Sequence, residues 1–230
     1  VLPLLFVGFF SCSNEPNYTP TESPTDNTVD IVDSTTTNGD LTTLIWSDEF
    51  EVNGAPSASN WNLETIPPNN GSWWNEEQQY YTDRRENSIV TDGILKIIAK
   101  KESYGGKNYT SARMTTQDLF EFRYGKVEIK AKLPEGQGTW PALWFLGSNI
   151  DEVSWPRCGE IDLMEHGDGE PGLVSSAVHL PNENGDHYYQ RGEQLIENEA
   201  SAFHLYEMIW TETKMEFFVD GEKHHDFIVN

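Results

Sequence analysis

The stretch Gly159-Glu160-Ile161-Asp162-Leu163-Met164-Glu165-His166 decides the fold, because it sets three carboxylates among apolar side chains. On a helix, at about 100° per residue, Glu160, Asp162 and Glu165 would point in different directions. On a regular strand Glu160 and Asp162 share a face, whereas Glu165 points to the opposite one. A bulge at Leu163-Met164 adds one residue and returns Glu165 to their face. We therefore predict a bulged β-strand that has its carboxylates on one face and apolar residues on the other.

Neighbouring carboxylates repel each other, and an enzyme can use the resulting change in their pKa values. Each negative charge raises the pKa of its neighbours, so an ionised and a protonated carboxyl group can coexist at one site. A pair of glutamates in these two states is typical of a retaining glycosidase, and Asp162 lies between Glu160 and Glu165. The spacing alone also allows an acidic edge strand that faces water, or a cation site.

The same residues carry a family resemblance. With the upstream Trp155-Pro156, the octet resembles glycoside hydrolase family 16, in the subgroup with the bulged signature Glu-x-Asp-x-x-Glu. Laminarinases (endo-β-1,3-glucanases), agarases and κ-carrageenases share this signature, and the resemblance runs from about Leu44 to Phe227. It implies that Glu160 is the nucleophile, Asp162 its helper and Glu165 the general acid and base.

Composition restricts the partners. The formal net charge of −23 and the pI near 4.4 argue against nucleic acid or another polyanion, including sulfated galactans. A neutral polysaccharide fits this charge better. Aromatic residues make up 12% of the chain and include eight Trp, which suits stacking on sugar rings. We expect a monomer.

The chain divides into three parts. An apolar run over residues 1–10 is followed by Cys12, which resembles a bacterial lipobox, so residues 1–12 are predicted to be a partial signal peptide with Cys12 lipidated. The alternative is a soluble secreted protein that is cleaved nearby. Residues 13–40 are rich in Thr, Ser, Asn, Asp and Pro and are predicted to be a disordered linker. Residues 41–230 form the predicted catalytic domain, exported and anchored by lipid at the bacterial cell surface or outer membrane, or otherwise secreted.

Short strands dominate this domain. Val127, Ile129 and Ala131 alternate with charged residues, and Asp92-Gly93 and Asp220-Gly221 are hairpin signals. Many short segments without long helical patterns predict an all-β sandwich. The resemblance adds a β-jelly roll with a concave substrate cleft. It also implies further strands after Asn230, so we expect the fold to be C-terminally incomplete in this chain.

A loop before the first strands is a candidate for substrate binding. Residues 75–82 resemble the family segment Asn-Asn-Glu-x-Gln-Tyr-Tyr-Thr, with Glu76 where an Asn is more usual. The match implies that Asn75 contacts a sugar. The alternative is a polar loop with Trp73 and Trp74 packed on the rim.

Further candidates for substrate binding come from the same resemblance. Arg113 matches an arginine on the concave face and could bind sugar hydroxyls or lower the pKa of the nucleophile; an ordinary ion pair is the alternative. His179 matches a histidine beside the catalytic strand, where it could bond Asp162, a sugar hydroxyl or only structural partners. The indole rings proposed to stack on sugars are those of Trp140, Trp144 and Trp155.

Cofactors have little support in the sequence. No pair of His or Cys residues has zinc-ligand spacing together with a third ligand, and Cys158 is predicted to be a free thiol. The resemblance implies a possible structural calcium ion, bound through backbone oxygens near Glu49 and Gly93. No cofactor is required for the expected reaction.

The function predicted from these residues is retaining, endo-acting hydrolysis of β-1,3-glucan. A mixed-linkage β-glucanase or an agarase would share the same chemistry. A non-hydrolytic carbohydrate-binding protein is the alternative from a different class.

Overall fold

The structure is a computed structural model that describes residues 41, 43–167 and 171–229, together with the backbone of Leu2–Leu5. Its described part is almost entirely β-structure, in short strands joined by turns. The strands and the single short helix are β1 Leu2–Leu5, β2 Asn62–Leu63, β3 Gln79–Tyr81, β4 Ser88–Thr91, β5 Ile94–Ile97, β6 Lys100–Tyr104, β7 Lys107–Ser111, β8 Met114–Thr115, β9 Glu121–Phe122, β10 Gly125–Ala131, β11 Ala142–Leu146, α1 Ile150–Val153, β12 Glu160–Glu165, β13 Leu173–Pro181, β14 His187–Leu195, β15 His204–Trp210, β16 Lys214–Val219 and β17 Glu222–Ile228.

Two sheets form the body of the domain. The larger has the order β14-β13-β12-β11-β1-β8-β2, with β9 paired to β1, and the smaller has the order β10-β15-β16-β17. Neighbouring strands in both sheets run antiparallel. The main core lies between these sheets, because its buried residues come from β11, β12 and β13 on one side and from β10, β15 and β16 on the other. The predicted all-β sandwich is confirmed.

The predicted strand patterns explain this packing. Ile129 and Ala131 on β10 are buried while Lys126 and Glu128 are exposed, as alternation requires. Asp92-Gly93 joins β4 to β5 and Asp220-Gly221 joins β16 to β17, each turn with two residues of positive φ. Two-residue hairpins of this kind match the right-handed twist of their strands.

Two smaller sheets lie beside the body. β3, β7 and β6 form one, and β4 and β5 form the other. A second apolar cluster, which includes Phe50, Trp61 and Leu95, packs the β4-β5 hairpin against Met114 of β8. This packing supports the larger sheet next to Arg113, the residue before β8.

A buried polar cluster joins the two main sheets. The hydroxyl of Ser176 on β13 lies 2.9 Å from Nδ1 of His225 and 3.0 Å from Nε2 of His224, both on β17. Burial lowers the pKa of His224 to about 4, and burial also lowers the pKa of His225. Both imidazoles are therefore neutral near pH 7, and we assign them a structural role.

The parts predicted at the N-terminus are mostly outside the described residues. This applies to Cys12 and to the linker over residues 13–40. Leu2–Leu5 form β1, which pairs with β11 on one side and with β8 and β9 on the other. Within the described residues, no helix has the length and apolar character needed to span a bilayer.

Candidate active site

The bulge in β12 brings the three carboxylates to one face. Glu160 is opposite Leu146 and Asp162 is opposite Trp144, but the register with β11 then shifts so that Glu165 is opposite Ala142. The register with β13 shifts over the same residues, between Asp162 and Glu165. One extra residue in β12 accounts for both shifts, as the sequence predicted.

The apolar residues of the motif face the opposite way. Ile161, Leu163 and Met164 all belong to the main core and are at most 3% exposed. Two consecutive buried residues at 163 and 164 are possible only if the strand's alternation is interrupted there. The burial of the bulge residues is therefore what directs Glu165 to the same side as Glu160 and Asp162. We call this side of the larger sheet the carboxylate face.

Glu160 is held by an indole. Nε1 of Trp155 donates a hydrogen bond to Oε2 of Glu160 at 2.6 Å. Burial and, after it, the charge of Asp162 raise the pKa of Glu160 to about 7, although His179 and the Trp155 hydrogen bond oppose the rise. Near neutral pH this carboxyl group is close to half ionised.

Asp162 is the most deeply buried of the three carboxylates, with 4% of its surface exposed. Burial raises its pKa well above the ordinary value, and the charge of Glu165 adds to the rise. Oδ2 of Asp162 lies 2.9 Å from Nε2 of His179, on the neighbouring strand β13. The predicted contact between this histidine and Asp162 is present.

Glu165 is held by a second indole, because Nε1 of Trp140 donates to Oε1 of Glu165 at 2.9 Å. Trp140 is 54% exposed and Trp155 is 44% exposed, so each bonds a glutamate and still offers ring surface to solvent. This arrangement suits a polysaccharide site, where indole rings stack on sugars beside the reacting bond.

Arg113 forms an ion pair, which was the alternative to its predicted role in substrate binding. Its Nε lies 2.5 Å from Oε2 of Glu64, which is an ion pair, and its guanidinium lies 4.6 Å from the ring centre of Trp144. The ring centre of Trp73 lies 5.6 Å from the same guanidinium. Arg113 therefore fixes the orientation of Trp144, whose strand neighbour is Asp162. Sequence reasoning had not included Glu64 in the site.

Comparison of the chain with known proteins agrees with this arrangement of carboxylates and indoles. Residues 75–229 match the family described as Glycosyl hydrolases family 16. The chain belongs to glycosyl hydrolase family 16. Its fold is the jelly roll of the solved family 16 laminarinases.

This family 16 chain is similar over most of its length to three known proteins. It is similar to LamAcat from Zobellia galactanivorans, with 41% identity, a TM-score of 0.77 and coverage of 82% of this chain and 80% of that one. It is 39% identical over 187 residues to a β-glucanase of Rhodothermus marinus, covering 80% of this chain and 65% of that protein. It is 38% identical over 183 residues to clotting factor G alpha subunit of Tachypleus tridentatus, covering 80% of this chain and 26% of that protein.

Asn75, the loop residue predicted to contact sugar, is exposed in the loop before β3 with a φ of 57°. Within the described residues of this family 16 chain, no hydrogen bond joins it to the carboxylates. From this loop it is Trp73 that reaches the site: its ring is 3% exposed and packs 4.7 Å from the ring of Tyr81 and beside Arg113. Trp74 is 53% exposed, so only one of the two indoles lies on the rim.

The site also includes two residues of β14 that were not predicted from the sequence. Nε2 of His187 lies 2.8 Å from Nδ1 of His179, and the ring of Tyr189 stacks 5.3 Å from the ring of His179. Trp155 packs 4.5 Å from His187, so this side of the site is an aromatic cluster. The run of polar residues around them gave no periodic signal that could have identified them.

Metal binding gains no support. In the described ranges, no group of three or more His, Cys, Asp or Glu residues could hold a metal ion. Oxygens beside the proposed calcium ligands Glu49 and Gly93 are already hydrogen-bonded: Asp48 accepts from Asn60 and Trp61, and Asn53 accepts from the backbone of Asp92. The calcium ion that the resemblance implies near Glu49 and Gly93 gains no support from these contacts, and no step below depends on one.

Cys158 is a free thiol, as predicted. With Ile161 and Trp210 it lines a cavity of about 410 Å³ that adjoins Glu160. Burial raises the pKa of this thiol, which keeps it protonated and a poor nucleophile.

Proposed function

We propose that this family 16 chain is a retaining, endo-acting glycoside hydrolase that cleaves β-1,3-glucan. The observation that carries the proposal is the carboxylate face, where a bulge sets Glu160, Asp162 and Glu165 together and two partly exposed indoles bond the outer pair. Binding of a neutral sugar gains little from three crowded negative charges, two of which have raised pKa values.

In the first step, ionised Glu160 attacks the anomeric carbon of the bound sugar. The bond from that carbon to the leaving oxygen breaks as protonated Glu165 gives its proton to this oxygen. A glycosyl ester on Glu160 and a shortened glucan result. The hydrogen bond from Trp155 fixes the attacking carboxylate, and that from Trp140 fixes the acid.

In the second step, Glu165 takes a proton from water, and the resulting hydroxide attacks the same anomeric carbon. The ester bond to Glu160 breaks, and the sugar leaves with its original configuration. Asp162 lies between the two glutamates along β12. A proton shared between Asp162 and His179 reduces the negative charge of Asp162, and this makes it easier for Glu160 to ionise.

Three observations support β-1,3-glucan as the substrate. The charge of −23 favours a neutral polymer over a sulfated one. A similar solved chain from Zobellia galactanivorans was crystallised with laminaritriose and laminaritetraose, at 41% identity and a TM-score of 0.77. Exposed Trp140 and Trp155 flank the carboxylates, as stacking on a glucan chain requires.

A digest of laminarin, lichenan and agarose by the purified chain tests the proposal. We expect oligosaccharides from laminarin within minutes, slower or partial cleavage of lichenan and no product from agarose. The first reducing ends, followed by proton NMR, should be the β-anomer. Preferred cleavage of agarose would show that β-1,3-glucan is not the substrate. Tight binding of laminarin without any product would show that the protein binds glucan but does not hydrolyse it.

We further propose export with a lipid anchor on Cys12. The support is sequence alone: an apolar run over residues 1–10 and the cysteine that follows it. Cleavage before Cys12 would also remove Leu2–Leu5, the strand between β11 and β8. Intact-mass measurement of the exported protein should find an N-terminal acylated Cys12; an unmodified cysteine or a retained residue 2 would contradict the anchor.

A further inference from the structure

The aromatic cluster beside Glu160 contains a row of hydrogen-bonding groups that leads away from the buried carboxylate. Oδ2 of Asp162 lies 2.9 Å from Nε2 of His179, and Nδ1 of that imidazole lies 2.8 Å from Nε2 of His187. The row therefore runs from a residue that is 4% exposed to one on the exposed edge strand β14. Both nitrogens of His179 are engaged, which fixes the ring.

The number of protons in the row links the direction of the His179–His187 hydrogen bond to the protonation of Asp162. Only one of the two facing nitrogens of His179 and His187 can carry a hydrogen. If Nδ1 of His179 donates to His187, then Nε2 can bond Asp162 only when one additional proton lies between these two atoms. If His187 donates instead, Nε2 of His179 carries the only proton of that ring, and Asp162 is fully ionised.

The surroundings favour the first state near neutral pH. Burial lowers the pKa of His187 and the charge of His179 lowers it further, so His187 is neutral, and a neutral imidazole can either accept from His179 or donate to it. Burial raises the pKa of Asp162, which favours a proton next to it. That proton cancels one negative charge beside Glu160.

From this geometry we propose that His187 is a positioning residue for hydrolysis: by accepting the hydrogen bond from His179 it keeps a proton between His179 and Asp162, which allows Glu160 to ionise. The inference rests on the proposed glucan hydrolysis. His187 acts through His179 and does not contact the reacting atoms.

The other groups around His187 are aromatic rings that pack against it and charged residues near it in the chain or in the preceding turn. Trp155 packs against its ring at 4.5 Å and Tyr189, on the same strand, stacks at 5.7 Å. Asp186 precedes His187 in the chain, and the guanidinium of Arg157 lies near Gly185 in the preceding turn. Among the described residues, His179 is the titratable group on a neighbouring strand that is hydrogen-bonded to His187.

Two replacements separate hydrogen bonding from packing. His187→Phe keeps a flat ring between Trp155 and Tyr189 but has no acceptor, whereas His187→Gln offers an amide oxygen to Nδ1 of His179. For His187→Phe we expect the acid limb of kcat/KM on laminarin to move up by about one pH unit, with about tenfold lower kcat at pH 6 and little change in KM. His187→Gln should recover most of the loss and stay within about threefold of wild type.

The matched control is Tyr188→Phe, on the opposite face of β14, which should leave the profile unmoved. A wild-type profile for His187→Phe, or an equal defect in His187→Phe and His187→Gln, would overturn the proposal. NMR of ¹⁵N-labelled imidazoles provides a readout without turnover: in wild type and His187→Gln, Nδ1 of His179 should carry a proton at pH 7. If the wild-type chain does not cleave glucan, that signal still decides the hydrogen-bond row, and an unprotonated Nδ1 refutes it.

Discussion

Replacing Glu160 with glutamine should lower glucan hydrolysis on the order of 10⁴-fold or more, because the amide cannot form the glycosyl ester. The side chains have nearly the same shape, so the Kd for a laminarin oligosaccharide should change by only a few fold. Initial rates and calorimetric binding on the same preparation check both statements. Turnover near the wild-type rate would show that Glu160 is not the nucleophile.

The same variant should be more stable than wild type above pH 7. Because the folded-state pKa of about 7 lies above the ordinary value of 4.5, ionising Glu160 costs stability. This cost is absent below about pH 4.5, grows as pH rises and is complete above about pH 7. Glu160→Gln removes it, so we expect a gain on the order of 3 kcal/mol at pH 8, or roughly 10 °C in Tm, and none at pH 4.

A thermal melt series from pH 4 to pH 8 measures this dependence. Glu222→Gln is the matched control, since that exposed glutamate begins β17 in the other main sheet. Its Tm should follow the wild-type value at every pH. An equal gain for Glu160→Gln at pH 4 and pH 8 would mean that its ionisation is not the cause.

Replacing Glu165 with glutamine should lower kcat on laminarin by about 10³-fold, because the leaving oxygen of a sugar needs a proton. An aryl glycoside of a glucan oligosaccharide has a leaving group that departs without one, so its first step should be affected much less. Added azide attacks the glycosyl ester without a general base and should restore turnover with a β-glycosyl azide as the product. Loss of both steps to the same extent on both substrates would argue against Glu165 as acid and base.

Two further features make this variant informative. Trp140 donates to Glu165, and an amide oxygen can accept the same bond, so the indole should stay in place. Glu165 also adds to the raised pKa of Asp162, and the amide removes that charge. A change in the Trp140 environment, seen by fluorescence, would mark a rearranged site rather than a missing proton donor.

The sandwich and its hairpins could be predicted from local patterns. Alternation in β10 and the Asp-Gly turns depend on neighbours within a few residues, and the structure contains both the alternation and the two hairpins. β14 was not predicted, because it is an edge strand whose residues are mostly exposed on both faces and show no apolar alternation.

The sequence by itself determined which residues meet on the carboxylate face. Ile161, Leu163 and Met164 must be buried, and this demand, together with the period of a strand, turns Glu160, Asp162 and Glu165 to the other side through a bulge. Each of these relations lies within one strand, so the order of residues is enough to infer it.

Only the tertiary structure decided what surrounds those carboxylates. Glu64 meets Arg113, Trp73 meets the same guanidinium, and His187 meets His179 across the pair β13 and β14. His179 is opposite Tyr189 in the register, so His187 reaches it diagonally from a strand that carries no pattern. Contacts of this kind follow from strand order and register, which depend on the packing of the whole domain rather than on any short stretch of chain.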